Sequence, residues 1–119
     1  MSGNTKKIPF FTFEAGGKSY MLRLTAGSAV RLEERLGCSI YEGLSKMSSV
    51  TVVMEFLYAL IESLTPEITK NGVYHIFDEY ISEGGTLKQL NGIIAEALDR
   101  SGFFDTGDST EPPQSLSSN

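Results

Sequence analysis

Apolar and polar residues alternate along the segment FTFEAGGKSYML, residues 11–22, on either side of two adjacent glycines. A Gly-Gly pair between alternating segments is typical of a two-residue β-hairpin turn, in which both turn residues need positive φ. Side chains on a strand alternate with period two, so one face of the hairpin is strongly apolar. Counting outward from the turn gives that face the pairs Phe13–Tyr20 and Phe11–Leu22. A two-stranded hairpin is marginally stable alone, so this face must pack on other elements.

After the hairpin, apolar residues recur at helical spacing in five segments. Each segment follows a hydroxyl side chain that can accept a hydrogen bond from the first helical turn. The predicted caps are Thr25, Ser39, Ser48-Ser49, Thr69 and Thr86. The third segment, Val50 to Leu64, is apolar around most of its girth and therefore predicts a central helix, which Thr65-Pro66 ends. The charged residues of the first helix are predicted to form a solvated face, namely Arg31, Glu33, Glu34 and Arg35.

These patterns predict one α+β domain over residues 8–104, with an N-terminal β-hairpin packed on a mostly α-helical bundle of about four to five helices. Phe103-Phe104 is expected to close this domain. Residues 1–7 are polar and basic and are predicted to be a flexible arm. Residues 105–119 are rich in Ser, Thr, Pro, Asp and Gly and have three acidic residues and no basic one. They are predicted to be a disordered acidic tail.

Charge and cysteine content disfavour some classes of partner and some cellular compartments. The 119-residue chain has 10 basic and 15 acidic residues and a net charge of −5. This balance disfavours nucleic acids and anionic membrane surfaces as partners. Cys38 is the only cysteine, which precludes an intrachain disulfide and suits a reducing cytoplasm. We expect no signal peptide, and the longest apolar run, Val50 to Ile61, is too short to span a bilayer.

Residues that could support catalysis or bind a cofactor or metal are few. His75 is the only histidine and lies beside an apolar stripe, so we interpret it as structural, and Cys38 as a buried, small apolar residue. Gly16-Gly17-Lys18 lacks the spacing of a phosphate-binding loop. The acidic group Asp78, Glu79 and Glu83 is interpreted as solvated surface rather than a metal site. The sequence therefore predicts no catalytic, cofactor or metal site, and a protein that is not an enzyme.

The sequence contains more apolar surface, on both hairpin faces and on the third helix, than about a hundred ordered residues are expected to bury. Phe10 and Met21 lie on the hairpin face opposite Phe11 and Leu22, and the third helix is apolar on two sides. We expect the outer hairpin face and this helix to contact other chains, either a client or sister subunits. The predicted protein-binding residues are Phe10, Met21, Phe56, Tyr58 and Leu60. The unpaired strand edges would also permit homo-oligomerisation.

Four sequence segments and the C-terminal tail resemble those of a known protein family. GGKSYMLRLT, LEERLGCSI, VVMEFLYALI and DEYISEGGTLKQLNGIIAEAL, followed by the polar acidic tail, resemble the tail assembly chaperones of long-tailed phages and Firmicutes prophages over about residues 8–104. The resemblance implies a non-enzymatic protein that binds the tape measure protein, keeps it soluble and recruits tail tube protein. It also implies action in the host bacterial cytoplasm and absence from the mature virion. In such families a ribosomal frameshift often extends the C-terminus.

Two alternatives remain open from the sequence. The chain could be a virion structural protein, such as a tail tube or connector subunit. Tube proteins usually need a larger β-sheet than one hairpin to form a ring. It could also be a small, non-enzymatic protein-binding module. A DNA-binding version of such a module would need a basic recognition helix, and these helices are acidic or neutral apart from Arg31 and Arg35.

Overall fold

The computed structural model describes residues 9–102 and confirms the α+β fold class, with one antiparallel hairpin packed on five helices. The predicted arm, residues 1–7, and the predicted tail, residues 105–119, lie outside the described residues, as does Phe103-Phe104. The elements in chain order are β1 (Phe11–Ala15), β2 (Lys18–Leu22), α1 (Ala26–Leu36), α2 (Ile40–Leu44), α3 (Val50–Glu62), α4 (Lys70–Ser82) and α5 (Leu87–Ser101).

The hairpin has the predicted register. Phe13 lies opposite Tyr20, and Phe11 lies opposite Leu22. The turn glycines, residues 16 and 17, have φ angles of 62° and 75°, which explains why residues with a β-carbon are disfavoured there. Phe13 and Leu22 are fully buried, so the inner face packs on the helices as expected, with β1 against α4 and α5 and β2 against α3.

The helix starts follow the predicted caps. In every case a hydroxyl oxygen accepts a hydrogen bond from a backbone N–H in the first turn. Thr25 and Thr86 also form capping boxes with Ser28 and Gln89. The observed caps are Thr25, Ser39, Ser49, Thr69 and Thr86. These local interactions set the helix boundaries independently of how the helices pack.

Helix α3 is the centre of the domain. It contacts α1, β2, α4 and α5, and it buries apolar side chains on several sides, as its apolar girth predicted. It ends at Glu62, two residues before the predicted Leu64, where the hydroxyl of Ser63 donates to the carbonyl oxygens of Leu60 and Arg23. The backbone N–H of Arg23 donates to Leu60 O at 3.0 Å, which joins the chain after β2 to the end of α3.

The prediction that the charged residues of α1 form a solvated face is wrong in part, because both arginines of α1 bind carboxylates on α3. Arg31 Nη2 lies 2.9 Å from Glu62 Oε2, and Arg35 Nε lies 2.6 Å from Glu55 Oε1. Lys70 Nζ, from the start of α4, lies 2.6 Å from the other oxygen of Glu55. Spacing along α1 alone could not reveal these partners, since they lie 20 and 31 residues further along the chain.

Substituting Gly85 by Ala should destabilise the fold, because a β-carbon at this position would lie 2.4 Å from the ring of Tyr80. That ring also packs against Phe13, with ring centroids 5.2 Å apart, so it cannot move without disturbing the hairpin contact. We expect Gly85→Ala to lower the free energy of unfolding by about 1–3 kcal/mol, as measured by urea denaturation.

The matched control for this substitution is Gly92→Ala in the middle of α5. A β-carbon at Gly92 would meet no atom within 4 Å, and the position is exposed. Alanine favours helix over glycine, so Gly92→Ala should raise the free energy of unfolding by about 0.5–1 kcal/mol. Equal effects of the two substitutions would contradict the close packing of Tyr80 on Gly85.

Candidate protein-binding surface

An apolar groove runs between the first half of α3 and α4. Its volume is about 330 Å³, and six residues line it: Val50, Thr51, Met54, Tyr74, Phe77 and Asp78. Ile81 lies one turn beyond Phe77 on the same face of α4, since residues four apart on a helix are neighbours. Val50, Tyr74 and Ile81 are 49%, 44% and 39% exposed, which is high for large apolar side chains. The groove is therefore an apolar surface open to solvent.

Asp78 gives the groove its charge. It is exposed, and it has no hydrogen-bond or ion-pair partner within residues 9–102. Lys70, two turns earlier on α4, is bound to Glu55 and does not neutralise it. The groove thus combines apolar side chains with a carboxylate that has no partner among the described residues. Exposed apolar side chains beside a carboxylate make this groove a candidate contact surface.

The five sequence-predicted binding residues do not come together in one surface. Met21 is exposed on the outer hairpin face opposite Thr12, and Phe10, just before β1, is half-buried. Tyr58 is half-buried on α3. Phe56 and Leu60 are fully buried. Met21 alone among the five is strongly exposed.

Phe56 and Leu60 are 0% exposed, so the expectation that they contact another chain is corrected. Both lie in the core because α3 packs against α1, β2, α4 and α5, and the Phe56 ring also lies against Gly43 of α2. Tyr58 is covered for a different reason. The guanidinium of Arg35 lies 4.8 Å from the centre of its ring, and Lys70 Nζ lies 5.9 Å from it. Helix α3 therefore exposes Val50 and Thr51 at the groove, whereas Val53 and most of its later apolar side chains are buried in the core.

The hairpin edges are a second candidate contact surface. In a hairpin closed by a two-residue turn, alternate pairs exchange backbone hydrogen bonds, so the backbone groups of Thr12 and Glu14 on β1 point outward. Those of Ser19 and Met21 on β2 also point outward. Within the described part of the chain, no other backbone group pairs with them. Such edges can accept a further strand.

A polar cleft lies on the other side of α4, beneath the hairpin turn. Its volume is about 510 Å³, and its polar side chains come from β2 and α4: Lys18, Tyr20, Asn71, His75 and Glu79. Burial raises the pKa of Tyr20, and the nearby carboxylate of Glu79 raises it further, so this phenol stays protonated at neutral pH. Among the described residues that line the cleft there is no Ser, Thr or Cys side chain beside His75.

The acidic group at the end of α4, which is Asp78, Glu79 and Glu83, is only partly a solvated surface. Glu83 accepts hydrogen bonds from the backbone N–H of Gly16, with distances of 2.9 and 3.2 Å to its two oxygens. This contact ties the hairpin turn to the end of α4. Glu79 lies directly beside Gly16, where a β-carbon would collide with its carboxylate. Glu83 therefore holds the hairpin turn, Glu79 lies against it, and only Asp78 of the three lines the groove.

The surroundings of the single histidine and the single cysteine can be compared with those predicted from the sequence. His75 is exposed on α4, at the rim of the polar cleft. Cys38 is half-buried rather than buried, because it follows the left-handed Gly37 at the end of α1, in the connection to α2. Among residues 9–102 there is no cluster of three or more His, Cys, Asp or Glu side chains that could hold a metal ion. No helix within the same range is long and apolar enough to cross a membrane.

The sequence-based reasoning missed Tyr74, Asp78 and the groove as a whole. Part of the groove is visible in the sequence as a helical spacing. Tyr74, Phe77 and Ile81 are spaced by three and four residues and form a second apolar stripe on α4. This stripe lies beside the core stripe that contains Val73 and Ile76. What the spacing could not show is which stripe faces solvent, since that depends on how α4 packs against α3.

Comparison of the chain with protein-family models, with curated proteins and with solved structures found no match.

Proposed function

We propose that this protein is a phage tail assembly chaperone, which binds the tape measure protein, keeps it soluble and helps to recruit tail tube subunits during tail morphogenesis. It would act in the host bacterial cytoplasm, without catalysis, and would be absent from the mature virion. The resemblance of residues 8–104 to that family suggested the role. The partners implied are the tape measure protein and the tail tube protein, and the chain's own copies where hairpin edges pair.

The observation that carries this proposal is the solvent-exposed apolar groove between α3 and α4. A chaperone for long helical clients needs apolar surface that stays accessible in its own folded state. It also needs a net charge that keeps the complex dispersed, and the chain has a net charge of −5. The groove meets the first requirement and the acidic composition meets the second.

Co-expression tests the proposal directly. The tape measure protein encoded by the same phage or prophage genome is expressed with and without this chain, and its soluble fraction is measured by centrifugation and immunoblotting. We expect the soluble fraction to rise several-fold in the presence of the chain, because exposed apolar helices of the client are covered. We also expect the two proteins to co-elute in size-exclusion chromatography.

The control is an unrelated acidic protein of similar size and net charge, expressed at the same level, since acidity alone could disperse an aggregating client. A tape measure protein that is equally soluble with this chain, with the control and with neither would refute the chaperone role.

One observation favours a second candidate, a virion structural protein such as a tail tube or connector subunit. Both edges of the hairpin have outward backbone groups without partners in residues 9–102, and neighbouring subunits in a ring can join through such edges. Mass spectrometry of purified particles separates the two candidates. A structural subunit would be present at a fixed number of copies per particle, and a chaperone would be absent.

A further inference from the structure

The groove between α3 and α4 has one acidic and no basic side chain among its lining residues. Asp78 stands on the α4 wall, near Tyr74 and Phe77, and no described cation pairs with it. A carboxylate at the edge of an apolar surface is costly to cover unless the covering group supplies a positive charge. A partner that brings a cation to Asp78 would therefore be favoured over one that does not.

We propose that this groove binds an amphipathic helix whose apolar stripe is flanked by a Lys or Arg that pairs with Asp78. The inference deepens the proposed function and rests on it for the biological role of that helix, as the client segment that the chaperone recognises. The binding chemistry itself, apolar side chains in the groove and a cation on Asp78, follows from the groove alone.

The dimensions of the groove suit a helix. The exposed side chains on α4 run from Tyr74 to Ile81, seven residues or about 10 Å along the helix axis. Apolar side chains at positions i, i+3 or i+4, and i+7 of a partner helix cover the same length. A volume of about 330 Å³ accommodates the tips of a few such side chains and not a whole element, so the partner would lie along the groove rather than enter it.

A second copy of the chain is a less suitable occupant. In a two-fold symmetric dimer the groove would face the same groove of its partner, which brings the two Asp78 carboxylates toward each other. Like charges close together in an apolar contact are destabilising, and each chain has a net charge of −5. A partner with basic residues avoids this repulsion.

Two synthetic peptides of about 20 residues test the charge preference, because isolated helices much shorter than this are marginal in water. Both have leucines at helical spacing, and they differ only in flanking residues, Lys in one and Glu in the other. Fluorescence anisotropy with the full chain should give a dissociation constant about tenfold lower for the Lys-flanked peptide. Asp78→Asn should reduce this ratio, and Asp78→Lys should reverse it. The ratio should also fall as the salt concentration rises.

Matched tyrosine variants test the location. Tyr74→Ala removes a ring that is 44% exposed from the groove, and Tyr41→Ala removes a ring that is 62% exposed from α2, outside the groove. Tyr74→Ala should weaken binding of the Lys-flanked peptide about fivefold or more, and Tyr41→Ala should leave it unchanged. Circular dichroism on each variant checks that the fold is retained. The proposal is overturned if Asp78→Lys leaves the peptide preference unaltered, or if the two tyrosine variants weaken binding equally.

Two further outcomes separate this inference from the proposed function. If the Asp78→Lys chain still solubilises the tape measure protein as well as the wild type, Asp78 does not select the client, so the inference is overturned for the client and the chaperone role stands. If the wild type fails to solubilise that protein but keeps the peptide preference, the role fails and the groove specificity stands. A dimer in sedimentation equilibrium that Tyr74→Ala dissociates would instead identify a second copy as the occupant and overturn the proposal.

Discussion

Phe56→Ala should lower the free energy of unfolding by about 3–5 kcal/mol, the largest effect that we expect from a single substitution in this chain. The Phe56 side chain has 0% exposure and lies in the central helix α3. Its ring packs close to Gly43 on α2, where a β-carbon would lie 3.1 Å from the ring. Removing it leaves a cavity between α2 and α3 that the surrounding helices can close only in part. Domains of this size are stabilised by about 5–15 kcal/mol in total, so the variant should be marginal.

Urea denaturation followed by circular dichroism measures the loss. Val30→Ala on α1 is the control, because that side chain is largely exposed, and its truncation should change the free energy of unfolding by at most about 0.5 kcal/mol. The result also decides between two interpretations of Phe56. A loss below about 1 kcal/mol with reduced client binding would restore the original prediction that Phe56 contacts a partner. A large loss means that any effect on binding follows from unfolding.

The local features of this fold could be predicted from the sequence because each depends on a few adjacent residues. The Gly-Gly turn fixes the hairpin register through the positive φ that it needs, and alternation then assigns Phe13 and Leu22 to the buried face. Hydroxyl caps such as Thr25 and Thr86 act within three residues of their own position. Neither feature needs knowledge of the rest of the chain.

The interaction surface could not be predicted in the same way. An apolar girth indicates that α3 is central, but it cannot distinguish a side covered by another helix of the same chain from a side covered by another protein. For that reason the pattern predicts that Phe56 and Leu60 contact a partner, whereas both are fully buried within the chain, Phe56 against Gly43 of α2. The groove depends on the relative positions of α3 and α4, which are set by contacts between distant residues.

The carboxylate of Glu55 is one of those distant contacts, and replacing it should have the second-largest effect. Its two oxygens bind Arg35 Nε and Lys70 Nζ, each at 2.6 Å, and so join α1, α3 and α4. The side chain is only 14% exposed. Glu55→Gln keeps the shape but leaves two cations without a countercharge, and Arg35 Nη2 is already buried without a described partner. We expect a loss of about 1–3 kcal/mol at pH 7, because partly buried charges lose their pairing.

The pH dependence of this loss follows from the pKa of Glu55. Burial acts to raise that pKa, but the hydrogen bonds and charges of Lys70 and Arg35 outweigh burial and hold it below its ordinary value of 4.5. A carboxyl group with a lowered pKa in the folded state stabilises the fold fully at pH values above its unfolded pKa. This stabilisation is lost as the pH falls through the folded pKa, where the native carboxylate is protonated. The difference between the wild type and Glu55→Gln should therefore be constant near neutral pH and shrink below about pH 4.5.

Urea denaturation of both chains between neutral and acidic pH measures this difference. Glu42→Gln is the matched control, since Glu42 pairs with Lys46 at 3.9 Å on the exposed surface of α2 and should contribute about 0–0.5 kcal/mol at any pH. A Glu55→Gln loss no larger than that of Glu42→Gln would contradict the role of Glu55 as a link between three helices. A loss that persists unchanged at low pH would locate the effect in packing rather than in charge, because protonated Glu and Gln are both neutral.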